Sequence, residues 1–311
     1  MAKTWMITGV SSGFGREMTE QLLSAGDRVI GTVRSTEKVA DLIQKYPDTF
    51  DCVILDVTDA VKVTEKVNEA AAKHGRIDVY VSNAGYGLFG AAEELSLEEI
   101  DRILDTNLRG SIAFIRAAIP HLRKQGGGRI IQISSYGGQV AYPGNSLYHA
   151  TKFGIEGFCE SVAQEVAPFG IDVTIVEPGG ARTEFRYGSA RVAKLMPEYD
   201  GSATHAFLKM LDPKNGLAPG DPAKMAARII ESAETEKPLL HMVLGSQALK
   251  ATIATLKNAL PNTKRRRNWR LLRTLSNSPD ITSPKKPVLI SAGSLIAELL
   301  SADPASVHSS S

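Results

Sequence analysis

A tyrosine and a lysine four residues apart, Tyr148 and Lys152 in Tyr148-His149-Ala150-Thr151-Lys152, sit in a stretch with helical patterning. That spacing brings two side chains to the same helix face, where an ammonium favours the ionised form of a neighbouring phenol. An ordinary tyrosine, with a pKa of about 10, is a poor acid or base at neutral pH, and a nearby cation moves it toward the useful range. Taken alone, the pair reads better as two surface residues, because the spacing is common by chance. It does not stand alone: an apolar run at residues 130–133 leads into Ser134-Ser135 just before it, and a serine hydroxyl there can donate to a substrate oxygen. Asn107, after Asp105-Thr106, falls inside a long helical pattern, where an unpartnered amide is unfavourable. Asn83-Ala84-Gly85 closes another apolar run and would border the same crevice.

A second cluster has phosphate-binding character. Thr8-Gly9-Val10-Ser11-Ser12-Gly13-Phe14-Gly15 follows the first apolar run and leads at once into a helical pattern at Arg16-Glu17. Glycines at a strand-to-helix turn let the backbone approach a pyrophosphate, whose charge the helix N-terminus favours. The spacing Gly-x3-Gly-x-Gly is not the Gly-x-Gly-x-x-Gly fingerprint, and no lysine follows as a Walker loop requires; a tight turn without ligand is the other reading. The second run ends at Thr32-Val33-Arg34-Ser35, where the adenosine ribose of a dinucleotide would lie. An acidic residue there would bind the 2′-hydroxyl of NAD, whereas Arg34 can pair with the 2′-phosphate of NADP. Arg34 as a solvated loop charge is the alternative. Asp56, in Leu55-Asp56-Val57-Thr58, either accepts a bond from adenine N6 or caps the helix that starts near Asp59.

Positioning these groups requires a particular scaffold. Short β-branched runs at residues 5–8, 28–33, 52–55, 77–81, 129–133 and 172–176, with a weaker one at 239–243, alternate with helix-length segments. Near-continuous apolar runs indicate strands buried on both faces, hence a doubly wound parallel α/β sheet in three layers. Two long helices are expected, at 97–124 and from 146 to about 167, and residues 184–220 read as an insertion with some helix. An insertion after a strand's carboxyl end forms part of a substrate pocket.

The motifs at residues 8–15 and 83–85, Asn107, Ser135, Tyr148-x3-Lys152 and Pro178-Gly179 occur in the order and near the spacing of the classical short-chain dehydrogenase/reductase family, which the chain resembles over about residues 4–260. The resemblance implies a Rossmann fold and hydride transfer between nicotinamide and a substrate carbonyl carbon. In the reductive direction it assigns proton donation to Tyr148 and a bond to the same oxygen to Ser135. Lys152 would hold the nicotinamide ribose and lower the Tyr148 pKa, and Asn107 would position a proton-relaying water. It further implies a cofactor site for NADP(H), preferred over NAD(H) because of Arg34, built from Gly9, Ser11, Ser12, Gly13, Phe14, Gly15, Arg34, Asp56, Val57, Asn83, Ala84, Gly85, Tyr148, Lys152, Pro178, Gly179 and Thr183. The implied substrate site is Ser135, Tyr136, Tyr142, Tyr148 and Phe185, and no metal is required. His149 is read as a partly exposed helix residue. The pocket segments are mostly apolar and aromatic, which suggests a hydrophobic ketone, aldehyde or secondary alcohol; Arg182, Arg186 and Arg191 leave an acidic substrate open. The Tyr-x6-Lys spacing of enoyl reductases is absent, which disfavours C=C reduction. A catalytically silent NADP(H)-binding sensor or scaffold is the competing reading, against which the complete set of Asn, Ser, Tyr and Lys argues. Family members associate through the two long helices, so a homodimer or homotetramer is expected.

Composition is compatible with all of this. With 311 residues, 43% hydrophobic, 23% charged, Gly 27 and Pro 15, collagen-like, wholly disordered and disulfide-scaffold classes are excluded. The net charge of +2 conceals an uneven distribution: from Lys264 onward eight basic residues face three acidic ones. That basic extension, 263–311, is expected to be flexible and separate from a single domain at 1–262; a solvated run, a nuclear signal, or an RNA or anionic-membrane contact are its readings. The near-neutral whole predicts no nucleic-acid partner. Cys52 and Cys159 in unlike contexts, a start that runs directly into an apolar strand, and no uninterrupted stretch of about 18 apolar residues point to a reduced cytoplasmic chain without a membrane span.

Overall fold

In β1 (Thr4–Thr8) Trp5 and Ile7 face one side of the sheet and Met6 the other, and all three are completely buried. A strand apolar on both faces must be covered twice, which a parallel sheet achieves with helices above and below. The structure, a computed structural model, describes residues 2–266, with side chains as far as Ala259. The chain divides into two units, residues 1–260 and 261–311; from residue 267 onward the basic extension lies outside the described residues.

After β1 come α1 (Gly13–Ser24), β2 (Arg28–Val33), α2 (Ala40–Lys45), β3 (Phe50–Ile54), α3 (Ala60–His74), β4 (Val79–Ser82), β5 (Leu88–Phe89), α4 (Leu97–Leu104), α5 (Gly110–Lys124), β6 (Gly128–Ile133) and α6 (Ser146–Val166). The first unit continues with β7 (Ile171–Pro178), α7 (Glu184–Tyr187), β8 (Arg191–Val192), α8 (Ala203–Leu208), α9 (Pro222–Glu234) and β9 (His241–Leu244), and α10 (Ser246–Arg266) ends the described residues. Seven strands form one parallel sheet in the order β3-β2-β1-β4-β6-β7-β9. Met18 and Leu22 of α1 and Ile229 of α9 pack one face. Val63 and Val67 of α3, Phe114 of α5, and Ile155 and Cys159 of α6 pack the other. This is the doubly wound, Rossmann-like α/β fold that the apolar runs predict.

The order reverses between β1 and β4, so the loops at their carboxyl ends part and leave a crevice, the usual ligand position in open α/β sheets. Two features differ from the expectation. The long helix at 97–124 is interrupted by a π turn, Asp105–Arg109, between α4 and α5. Such one-residue expansions frequently mark functional sites, and here the turn carries Asn107. Residues 184–220 are also not merely helical: β8 pairs in parallel with β5, Leu88 opposite Arg191 and Phe89 opposite Val192, which ties the insertion to the loop after β4. Both cysteines are free, and no helix among the described residues is long and apolar enough to cross a membrane.

Candidate active site

The carboxyl ends of β1, β4, β6 and β7 open into one cavity of about 1400 Å³, larger than the roughly 300–1,000 Å³ of pockets that hold a single small ligand. Every predicted site residue lines it except Gly15 and Asn107.

At one end lies the glycine turn. Gly9 and Gly13 take φ of +73° and +57°, angles that L side chains rarely adopt. Gly15 is required by contact: a Cβ there would lie 2.2 Å from the Gly9 carbonyl oxygen and 2.6 Å from Asn83 Nδ2. Asn83 donates through Nδ2 to the Thr8 and Gly9 carbonyls at 2.8 and 3.0 Å, and its backbone N–H and that of Ala84 donate to Thr8 Oγ1. These bonds lock the turn to the end of β4. Ser12, at the start of α1, makes no side-chain cap, and Ser12, Gly13 and Phe14 line the cavity, where a helix N-terminus suits an anion. Arg34 and Lys38 stand on the same wall; Lys38 was not anticipated, because a lysine past the strand end has no motif to mark it. Asp56 accepts from Thr58 N and Oγ1 at 3.0 and 2.8 Å. Burial pushes its carboxyl up, but those bonds and the charges of Arg34 and Arg102 bring it below the ordinary value. Capping of α3 falls instead to Asp59, which accepts from Lys62 N, so Asp56 is not the cap.

At the other end Ser135, Tyr148 and Lys152 converge. Tyr148 and Lys152 are one turn apart on α6 and less than a tenth exposed. Lys152 donates to the Ile133 carbonyl at 3.0 Å, and its Nζ lies 5.7 Å from the centre of the Tyr148 ring. The Ser135 hydroxyl hydrogen-bonds the Tyr148 phenol and accepts from Gly137 N at 3.0 Å. The expected lowering of the Tyr148 pKa is not found. Burial pushes the phenol well above its ordinary value, against the opposing Ser135 bond, and the same burial brings Lys152 down to about 8 despite the support of Glu156. Desolvation penalises the charged form of each group.

Asn107 is buried but does not reach the cavity. Its Oδ1 accepts from Tyr86 N at 3.0 Å, and its Nδ2 donates to the Tyr86 carbonyl at 2.9 Å and to Thr151 Oγ1 at 3.3 Å. Thr151 in turn donates to the Tyr148 carbonyl at 2.7 Å. The Asn107 side chain thus ties the loop after Gly85 to the turn of α6 that bears Tyr148 and Lys152. Asn107→Ala would leave the Tyr86 N–H and carbonyl without partners. The expected loss is roughly 3 kcal/mol, read as a fall in Tm of roughly 5–10 °C in a thermal melt; an unchanged Tm would contradict this role.

The wall around Tyr148 is aromatic. Phe185 and Phe89 lie 5.6 and 6.2 Å from its ring centre, Phe207 lies 6.1 Å from Phe89 and 6.3 Å from Tyr142, and Tyr136 is 5.9 Å from Tyr142. Phe89 and Phe207 were missed. Phe207 enters on α8, which Glu94 pins by accepting from His205 Nε2 and Met196 N, each at 2.7 Å, contacts across about a hundred residues that no local pattern announces. His149 is not partly exposed: it is buried, lines the cavity, accepts from Tyr142 N at 3.3 Å, and is held neutral by burial, its pKa down to about 4. Of the arginines considered for an acidic substrate, Arg182 is occupied by the Ala218 and Pro219 carbonyls and Asp221 and stands off the cavity, whereas Arg186 and Arg191 line it.

Fold and site together define an oxidoreductase with a Rossmann-like scaffold, and the comparisons agree. Residues 3–191 match the family model described as short chain dehydrogenase. The oxidoreductase BOA17 of Botryotinia fuckeliana is 36% identical over 250 residues, covering 80% of this chain and 91% of that one. A short-chain dehydrogenase from Streptomyces avermitilis superposes with a TM-score of 0.81 at 38% identity, covering 89% of this chain and all of that one. ElxO, solved with NADP bound, superposes at 0.66 with 28% identity, covering 80% of this chain and all of ElxO. The chain belongs to the short-chain dehydrogenase family.

Proposed function

We propose that the protein is an NADP(H)-dependent reductase or dehydrogenase of hydrophobic ketones, aldehydes or secondary alcohols. The observation that carries this reading is the convergence of Ser135, Tyr148 and Lys152 at the aromatic end of a cavity whose other end is a glycine cradle beside Arg34 and Lys38. The glycine turn suits the cofactor on its own geometry: a Cβ at Gly15 would clash with the Gly9 carbonyl and Asn83 Nδ2 and force the turn open, and Ser12, Gly13 and Phe14 at the uncapped start of α1 line the cavity. Gly9, Ser11, Ser12, Gly13 and Phe14 would hold the pyrophosphate, Arg34 and Lys38 the 2′-phosphate, Asp56 and Val57 the adenine, and Asn83, Ala84, Gly85, Pro178, Gly179 and Thr183 the nicotinamide half. A bound reduced nicotinamide supplies the hydride. The chain's residues do the rest: Ser135 Oγ bonds the substrate oxygen and the Tyr148 hydroxyl passes its proton to that oxygen. Lys152 would hold the ribose hydroxyls and would place positive charge where negative charge develops. Tyr136, Tyr142, Phe185 and Phe207 give an apolar substrate most of its contact area. ElxO, a similar structure with NADP bound, supports the cofactor assignment.

The test is NADPH oxidation with a panel of apolar carbonyl compounds. Arg34→Ala is expected to weaken NADPH binding by roughly 10- to 30-fold, the loss of one charge-assisted contact of roughly 1.5–2 kcal/mol, and to leave NADH binding unchanged. Equal weakening of both would remove Arg34 from the 2′-phosphate. NADPH binding with no turnover of any carbonyl would leave a binding protein in place of an enzyme.

A further inference from the structure

Behind the catalytic wall, on the sheet face covered by α6, lies a buried polar cluster that the mechanism above does not use. Glu156, Glu177 and His241 come from α6, β7 and β9, and each brings a polar atom within 4.8 Å of the others. Glu156 and Glu177 are almost completely buried. Both oxygens of Glu156 are held: one accepts from Ser134 Oγ, the other from Gln139 Nε2 at 2.6 Å. Ser134 and Gln139 bracket Ser135 and the short turn Tyr136–Gly138, so Glu156 fastens the catalytic segment to α6. The fit is close, since a Cβ on Gly138 would lie 1.9 Å from Glu156 Oε1. Glu177 is paired with His241 Nδ1 at 2.6 Å, and Glu160 approaches the other ring nitrogen at 3.5 Å.

Glu156 is also one helical turn beyond Lys152, as Lys152 is one turn beyond Tyr148, so the three share a face. The groups facing Glu156 are Ser134 and Gln139 from the β6 side, Glu177 from β7, His241 from β9, and Tyr148, Lys152 and Cys159 on its own helix. Those facing Lys152 are the Ile133 carbonyl, the Tyr148 ring and Glu156. Glu156 is therefore the acidic side chain that acts on the Lys152 ammonium among the described residues.

We propose that Glu156 is a positioning residue for the catalytic pair: its carboxylate, fixed by Ser134 and Gln139, keeps the buried Lys152 ammonium charged. Burial and the like charge of Glu177 push the Glu156 carboxyl up to about 7, while the Ser134 and Gln139 bonds oppose them. Burial brings Lys152 down to about 8. When ionised, Glu156 favours the protonated form of Lys152. Loss of the carboxylate charge leaves the ammonium unsupported and easier to deprotonate.

This inference rests on the proposed role of Lys152, but its test does not require turnover. Trace acetylation of the full chain across a pH series, with the Lys152 peptide quantified by mass spectrometry, reads the lysine's titration midpoint directly. Glu156→Gln, nearly isosteric, is expected to move that midpoint toward acid by about one pH unit. Glu156→Asp, which restores the charge, is expected to bring it back. Ser134→Ala, which removes a bond favouring the ionised carboxylate, should move it the same way by less, and supplies the answer if Glu156→Gln does not fold. The same midpoint in Glu156→Gln or Ser134→Ala as in the wild type, or an equal shift in Glu156→Asp, overturns the proposal. Carbonyl reduction is assayed separately: absence of turnover in the wild type bears on the proposed function alone, because the labelling midpoints are read without it.

Discussion

Tyr148→Phe is expected to lower kcat for carbonyl reduction by about 10²–10⁴-fold, the range contributed by one positioned proton donor, with little change in NADPH affinity. The ring, its burial and its contacts with Phe89, Phe185 and His149 persist in the variant; only the hydroxyl bonded to Ser135 is lost. The defect should therefore fall on the chemical step and not on binding. The pH dependence follows with its sign. Burial raises the Tyr148 phenol well above its ordinary value, so the proton donor stays loaded through the neutral and mildly alkaline range. Lys152, brought down to about 8, loses its charge first. Reduction should be level below that pH and decline as pH rises through it, while the residual activity of Tyr148→Phe declines in parallel. Steady-state kinetics from pH 6 to 10 would check this; a wild-type rate that instead rises steadily with pH would show that the ionised phenolate, and not the phenol, is the working form.

Gly15→Ala is expected to be the most damaging small substitution outside Tyr148 and Lys152. The added methyl meets the Gly9 carbonyl and Asn83 Nδ2 at distances no carbon tolerates, and neither can yield cheaply, since one is backbone and the other is already bonded to the Thr8 and Gly9 carbonyls. Opening the turn should cost about 1–3 kcal/mol of stability. It should also displace the α1 N-terminus enough to weaken NADPH binding roughly 100-fold, the scale of a misplacement of about 1 Å. Gly157→Ala is the control: it lies on α6 with nothing within 4 Å of its Cβ position, and both quantities should stay near wild type. Fluorescence titration with NADPH and a thermal melt measure the two effects, and intact binding in Gly15→Ala would mean that the cradle does not hold the pyrophosphate.

Residues near one another in sequence were the legible ones. The glycine turn, the Asn83-Ala84-Gly85 turn, Ser135 after its strand and Tyr148-x3-Lys152 each occupy a strand end or a single helix face, so their geometry is fixed by local periodicity. The double burial of the strands was likewise readable from uninterrupted apolar runs, and with it the parallel sheet. What could not be read were groups brought together by long connections. Phe207 reaches Tyr142 and Phe89 only because Glu94 holds α8. Asn107 meets Tyr86 and Thr151 only because a π turn swings it inward, a local expansion that a regular helical pattern does not forecast.

The sequence by itself determined the order of the strands' chemistry: which strand ends carry glycine, serine and arginine, and that one helix face carries the phenol and the ammonium. Tertiary structure alone decided how those groups ionise. Periodicity puts a cation beside Tyr148 and predicts a lowered pKa, but α6 packs both residues away from water, and the lost solvation disfavours the charged form of each. It also decided that Glu156, Glu177 and the half-buried His241, contributed by one helix and two adjacent strands, form a single cluster on the sheet face covered by α6. Apolar runs announce which strands are buried, but the burial of a polar or charged side chain depends on the layers assembled around it, and no spacing along the chain encodes that.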